Sequence, residues 1–293
     1  MRQYDLKKFY PLILILVCWF LKPPEELSIS GYRMFVVFVS VIFSILLQSI
    51  PTAVSVLTGL TFSVFTGLMP LKSALKGYSD STTWLVVIAF LIAGAIIRSG
   101  LGKRISILSI YYLGRSITGL GYAICCAELI LGPVVPSNTA RGGGVLAPIV
   151  DSISKTLGSS PNNKPQIAGQ YLNLVGAHAN LITAAMFLTG MAANPLVSKA
   201  ALEVFEIEFG WLKWAVGAIV PGLIGLTGLP LLIKYLSPPN IESIEPVRIR
   251  IKKELQTLGS WTRAEIATGI IMVLMLLLWL SKSFHGFGTT TVA

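Results

Sequence analysis

The chain has 293 residues, 54% hydrophobic and 12% charged, with a net charge of +10 and a mean hydropathy of +0.75. That composition excludes an ordinary soluble domain, which needs more polar surface, and points to a polytopic membrane protein whose first partner is the lipid bilayer. The apolar runs are unbroken rather than alternating, so the expected fold class is all-α.

The basic residues lie in short connections between apolar runs, including RIRIKK at 248–253. This is a positive-inside pattern rather than a nucleic-acid surface, and no nucleic-acid partner is expected. Cys18, Cys125 and Cys126 are odd in number and sit in apolar sequence. They read as small buried hydrophobes, not metal ligands or a disulfide framework.

Taken in chain order, the first apolar core, 9–21, is a short uncleaved span, because Lys22-Pro23-Pro24 stand where a signal peptidase would need small residues. Spans follow at 34–48 and 52–69, joined at Ser49-Ile50-Pro51, and at 84–97. The piece 105–113 is too short to span, so it lies at the interface or continues the fourth span as a broken helix. The segment 119–157 contains LGPVVPSNTARGGGVL at 131–146. A long run at 167–188 breaks at TGMAANP and resumes from Pro195 to Phe205; 211–235 is a further span, 237–263 a polar loop, and 266–280 a last apolar run.

Placing the N-terminus inside puts most Lys and Arg on that side, but only if 119–157 returns to the side it entered. The charge count therefore predicts a re-entrant hairpin. Its first arm, 121–131, is about 11 residues, or roughly 16 Å of helix, about half of a 30 Å hydrocarbon core. Pro133 and Pro136 stop that helix. Ser137, Asn138 and Thr139 are N-cap types from which a second arm starts. A helix beginning near the midplane turns free N–H groups and a positive dipole end towards an anion. Gly142, Gly143 and Gly144 let a neighbouring helix approach closely.

Arg141 inside apolar sequence is costly unless paired or hydrated. It either hydrogen-bonds carbonyls at the helix breaks, or stands next to the anion, contacting carboxylate or supplying positive charge. At the second break, Thr189-Gly190 ends one half-helix and Asn194-Pro195 reads as N-cap and first position of the next. Asn173, Gly176, Asn180 and Thr183 form a polar stripe on one helix face, facing a neighbour or lining a cavity. His178 lies off that stripe and is expected in an interhelical hydrogen bond. Two broken helices meeting at mid-membrane mark a secondary transporter.

PSNTARGGG at 136–144, SDSTTWLVV at 79–87, LGYAI at 120–124 and FLTGMAANPL at 187–196 resemble the divalent anion:sodium symporter family. The resemblance is to its branch of bacterial citrate/succinate and tartrate/succinate antiporters and plastid 2-oxoglutarate/malate translocators. It implies a fold of two inverted repeats, each with a re-entrant helical hairpin and a discontinuous helix, in a homodimer whose transport domain moves like an elevator. It also implies an inner-membrane carrier with a cytoplasmic N-terminus that exchanges dicarboxylate or tricarboxylate anions and is not an enzyme.

By the same resemblance, 1–115 is scaffold, 116–236 belongs to the transport domain, 237–263 is a cytoplasmic loop and 264–293 starts the second repeat. Ser137, Asn138, Thr139, Arg141, Thr189 and Gly190 form the substrate-binding set. Asn138 and the carbonyl region of Gly190 would frame a sodium ion in sodium-coupled members, with no other cofactor. In the exchanger branch the Arg141 guanidinium stands in for that sodium. The rival on the same fold is sodium-coupled symport. An intramembrane enzyme and an anion channel are more distant. No second Ser-Asn-Thr-like hairpin occurs in the chain, which reads as truncated and not competent for transport alone.

Overall fold

The computed structural model describes residues 13, 15, 17–135, 137–241 and 243–293. The expected first span, 9–21, lies partly outside them, since 9–12, 14 and 16 are not among the described residues. The described residues are all-α, with one isolated β-bridge between Ser160 and Asn163. They divide into two compact units, Met1–Asp80 and Ser81–Ala293, so 81–115, expected to be scaffold, lies in the same compact unit as the expected site.

In the first unit, α1 (Ile29–Leu46) and α2 (Thr52–Phe65) pack together. Ser28 caps α1, its Oγ accepting from Gly31 N at 3.1 Å. Gly59 permits the close packing, since a Cβ there would lie 2.3 Å from Val41. The Ser44 and Ser55 hydroxyls meet at 2.8 Å between the helices. At 14 residues α2 is about 21 Å long, shorter than the expected span and than a 30 Å core. A short α3 (Leu71–Ala74) and one 3-10 turn, Lys76–Ser79, follow.

The second unit opens with α4 (Ser81–Ser99) and α5 (Leu101–Leu113), separated by Gly100 at φ +83°. That left-handed residue breaks the apolar run into two helices. α6 (Ile117–Leu131) and α7 (Asn138–Arg141) flank the Pro-rich turn, and a π-helical turn, Gly142–Leu146, leads into α8 (Ala147–Thr156). α9 (Gly169–Met186) and α10 (Ala193–Phe205) flank the second break; α11 (Trp211–Leu236), α12 (Glu245–Leu258) and α13 (Arg263–Leu280) complete the main helices. Among the described residues, α1, α4, α11 and α13 are long and apolar enough to cross a membrane.

α9 lies at the centre of this unit, packed on α6, α8 and α11. Glycines set two of these contacts. A Cβ at Gly121 of α6 would meet Tyr171 Oη at 2.5 Å, and one at Gly222 of α11 would meet Met186 at 2.4 Å. Tyr171 donates to Pro230 O at 3.2 Å and Tyr122 to Thr227 O at 2.9 Å, tying α9 and α6 to the proline-bearing part of α11.

The expected polar loop 237–263 is largely helical. Val247 and Ile251 are buried, and Leu255 and Leu258 pack against the core, a 4-4-3 spacing that gives α12 one apolar face. At its end Arg104 of α5 binds Glu265 at 2.7 Å and the carbonyls of Leu258, Gly259 and Ser260 at 3.0–3.2 Å. Glu265 also completes a capping box with Thr262 at the start of α13.

Candidate functional site

α6 starts at Ser116, whose Oγ accepts from Gly119 N at 2.9 Å. It is 15 residues, about 22 Å, four residues longer than the expected arm yet still short of a 30 Å core. Nearly every side chain of its inner face is buried, among them Leu120, Ala123, Ile124 and Ala127. Ser137 then caps α7 as the sequence predicts, with φ −121° and ψ 106° and its Oγ accepting from Ala140 N at 3.1 Å. Of the three glycines that follow, only Gly142 is tightly approached. A Cβ there would lie 3.1 Å from the Asn180 amide nitrogen, whereas Gly143 faces open space.

The second break begins at Phe187, where the chain turns extended after α9. Gly190 folds back so closely that a Cβ would lie 2.6 Å from Ala184 O. Asn194 is not the N-cap expected; it lies inside the first turn of α10. Its side-chain amide donates to Ala184 O and Phe187 O at 2.7 and 2.8 Å. The reason is that a helix broken inside the protein leaves carbonyls that need donors, and this amide supplies two. Thr189 joins the two breaks, donating to Pro133 O at 2.6 Å and accepting from Trp211 Nε1 at 3.0 Å.

Between the breaks lies an ion pair that the sequence reading did not anticipate. Glu128 of α6 and Arg141 of α7 are both 0% exposed, with Arg141 Nε 2.5 Å from Glu128 Oε2. Arg141 Nη1 donates to Val135 O at 2.8 Å and Gly190 O at 3.3 Å. Its Nη2 reaches Asn180 O at 3.4 Å and Thr183 Oγ1 at 3.2 Å. A guanidinium has five N–H donors, and five acceptors surround this one. Glu128 is further held by Asn180 Nδ2 at 2.9 Å and Thr183 Oγ1 at 2.9 Å.

Arg141 thus takes the first of its two expected roles, bonding carbonyls at both helix breaks. Contact with a bound carboxylate would require one of these bonds to open, and Glu128 cancels the positive charge expected beside the anion. Glu128 left a signal in the sequence that was not used: it is the lone charged residue within α6, and intramembrane ionisable residues need a partner.

A cleft of about 310 Å³ opens in front of this pair. Asn138, Thr139, Gly142 and Gly143 form one side, while Asn173, Gly176 and Asn180 of α9 form another. Three members of the polar stripe therefore line a cavity, and the fourth, Thr183, points into the ion-pair network instead. The residues lining the cleft carry no charge. Of the six expected substrate-binding residues, Asn138 and Thr139 reach the cleft. Ser137 is buried as the cap, and Arg141, Thr189 and Gly190 are buried away from it. His178 is exposed and bonds Leu174 O of its own helix at 2.8 Å, not a neighbouring helix as expected.

The oxygens expected to frame sodium do not fit that ion as arranged. Gly190 O accepts from Arg141, so a sodium ion there would lie against a guanidinium. Asn138 Oδ1 accepts from Thr139 N at 3.0 Å, and Asn138 O from Asn180 Nδ2 at 3.1 Å.

Residues 3–293 match the family model described as sodium:sulfate symporter transmembrane region. YflS of Bacillus subtilis (strain 168), provisionally named a malate transporter, is 37% identical over 291 residues, 98% of this chain and 61% of that protein. Dicarboxylate transporter 1, chloroplastic, of Spinacia oleracea is 33% identical over 94% of this chain and 49% of its own length. The L-tartrate/succinate antiporter of Escherichia coli (strain K12) is 31% identical over 92% of this chain and 59% of its own. The chain spans less than two thirds of these relatives.

Proposed function

Because the chain belongs to the sodium:sulfate symporter transmembrane-region family, a family of membrane transporters and not of enzymes, we propose that it serves sodium-independent exchange of di- or tricarboxylates. The substrates are 2-oxoglutarate, malate, succinate or citrate, in keeping with relatives named for malate, dicarboxylate and tartrate/succinate transport. One observation carries the sodium-independent reading. The Arg141 guanidinium donates to carbonyls of both helix breaks, Val135 O and Gly190 O, where a sodium-coupled carrier would keep oxygens open to the ion.

In this reading one substrate carboxylate lies in the cleft, held by neutral groups. Thr139 offers a hydroxyl, and Asn138 and Asn173 offer side-chain amide donors. Arg141 acts behind them as a cross-link that fixes the tip against the second break. Segment 119–157 is a re-entrant hairpin, the N-terminus is cytoplasmic, the membrane is the bacterial inner membrane, and the assembly is a homodimer. Neutral donors hold the dianion without a resident cation, which suits exchange of one anion for another.

Sodium-coupled symport on the same fold is the second reading, favoured by the family model's own description. Thermal unfolding of the purified protein in malate separates the two. Exchange predicts that malate raises the unfolding temperature equally in sodium and in choline buffers. A rise confined to sodium supports symport.

A further inference from the structure

A cavity bordering α12 is distant in sequence from the cleft and has no part in the function proposed above. It measures about 690 Å³, between the C-terminal end of α5 and the first half of α12. Arg115, Arg248 and Lys252 supply its cations, and Tyr111, Tyr112 and Ile249 its apolar surface. The one acid lining it, Glu245, is bonded to Arg248 at 2.9 Å. That pair cancels, and the side chains of Arg115 and Lys252 make no ion pair or hydrogen bond among the described residues. The cavity therefore presents two uncompensated positive charges.

The same cavity has an apolar rim out of place beside water. Tyr112 is 65% exposed, Ile249 63% and Tyr111 45%. A free phosphate ion would use the cations and gain nothing from those three side chains. A lipid would use both, since its glycerol and acyl chains cover apolar surface while its phosphate meets the cations. Tyrosines concentrate where spans leave the hydrocarbon. α12, an amphipathic helix with a basic outer face, lies in the chain between the spans α11 and α13. Basic pockets beside membrane-spanning helices bind anionic headgroups.

We propose that this cavity is a binding site for one anionic glycerophospholipid, its phosphate held by Arg115 and Lys252 and its apolar part lying on Tyr111, Tyr112 and Ile249. Occupation would brace α12 against α5, beside the buried side chains of Val247 and Ile251 that also line the cavity.

The test is native mass spectrometry of the purified, delipidated chain in detergent with dioctanoyl phosphatidylglycerol, dioctanoyl phosphatidylcholine, or inorganic phosphate. We expect one phosphatidylglycerol per chain. R115A/K252A should weaken its binding about 30-fold, since each basic residue near an anionic headgroup contributes about a factor of 5. R115K/K252R should retain binding. K72A/K76A, which removes two exposed lysines elsewhere, should leave it unchanged and controls for net charge. Equal retention of phosphatidylcholine, undiminished binding by R115A/K252A, or displacement of the lipid by inorganic phosphate at matched concentration would each overturn the assignment.

Discussion

Glu128 and Arg141 form a fully buried ion pair that fastens both sides of the Pro-rich turn to α9. They lie thirteen positions apart in the chain, with the Pro-rich stretch between their helices. A buried pair of this kind contributes little over an apolar equivalent, yet removing one member leaves a charge in low dielectric. E128A and R141A should each therefore destabilise the protein by about 3–5 kcal/mol. An apolar double replacement, E128L/R141M, should be less destabilised than either single variant. Thermal unfolding in detergent checks this, and additive losses in the double variant would show that the two residues do not act as a pair.

Asn173 and Asn180 lie on the same cleft but differ in what holds them. Asn180 donates to Glu128 and to Asn138 O, so N180A should lose about 1–3 kcal/mol of stability as well as ligand affinity. Among the described residues, the Asn173 side chain bonds only Gly169 O of its own helix, at 2.7 Å. N173A should therefore weaken dicarboxylate binding with stability within about 0.5 kcal/mol of the parent. Calorimetric titration with malate, read beside thermal unfolding, separates the two effects.

Gly190 and Gly143 should respond oppositely to an added methyl. G190A would press a Cβ against Ala184 O and should cost about 1–3 kcal/mol through overpacking. G143A meets nothing within 4 Å and should fold normally while placing its methyl in the cleft, lowering ligand affinity. Circular dichroism melts and ligand titration of both variants test the contrast.

Arg104 holds the junction between α12 and α13 through Glu265 and three carbonyls. R104A leaves the carboxylate and those oxygens without their donor, so hydrogen exchange should accelerate at 258–265 while the α6 amides stay protected. Unchanged protection at 258–265 would mean that the capping box alone holds the junction.

Glu208, in the loop before α11, receives a hydrogen bond from Lys282 at 2.7 Å. That bond, with the lysine's charge, holds its carboxyl below the usual range. Because the folded value is depressed, its stabilising contribution is present above the ordinary glutamate pKa and disappears as pH falls through the lower folded value. Glu208 is 67% exposed, so screening keeps the effect small. E208Q should lower the melting temperature slightly at pH 7 and not at all in strong acid.

The sequence revealed the tip because Ser137 caps locally, through its own hydroxyl three residues on, and local chemistry survives without knowledge of the fold. Asn194 was harder. An amide before proline looks like an N-cap, and only the folded chain shows its nitrogen turned back to the carbonyls of α9. Glu128 escaped notice because its partner becomes adjacent only once the chain has passed the turn. In α12, charge masked a regular apolar spacing at Val247, Ile251, Leu255 and Leu258. The polar stripe on α9 was visible as periodicity, but which members face the cleft depends on where Glu128 and Arg141 sit.

The most direct test of the exchange reading is uptake of labelled 2-oxoglutarate by proteoliposomes carrying the protein, with and without internal malate, each with and without sodium. Arg141 bonded to the carbonyls of both breaks predicts uptake that requires internal malate and is unchanged by sodium. Uptake into empty vesicles driven by a sodium gradient would contradict it.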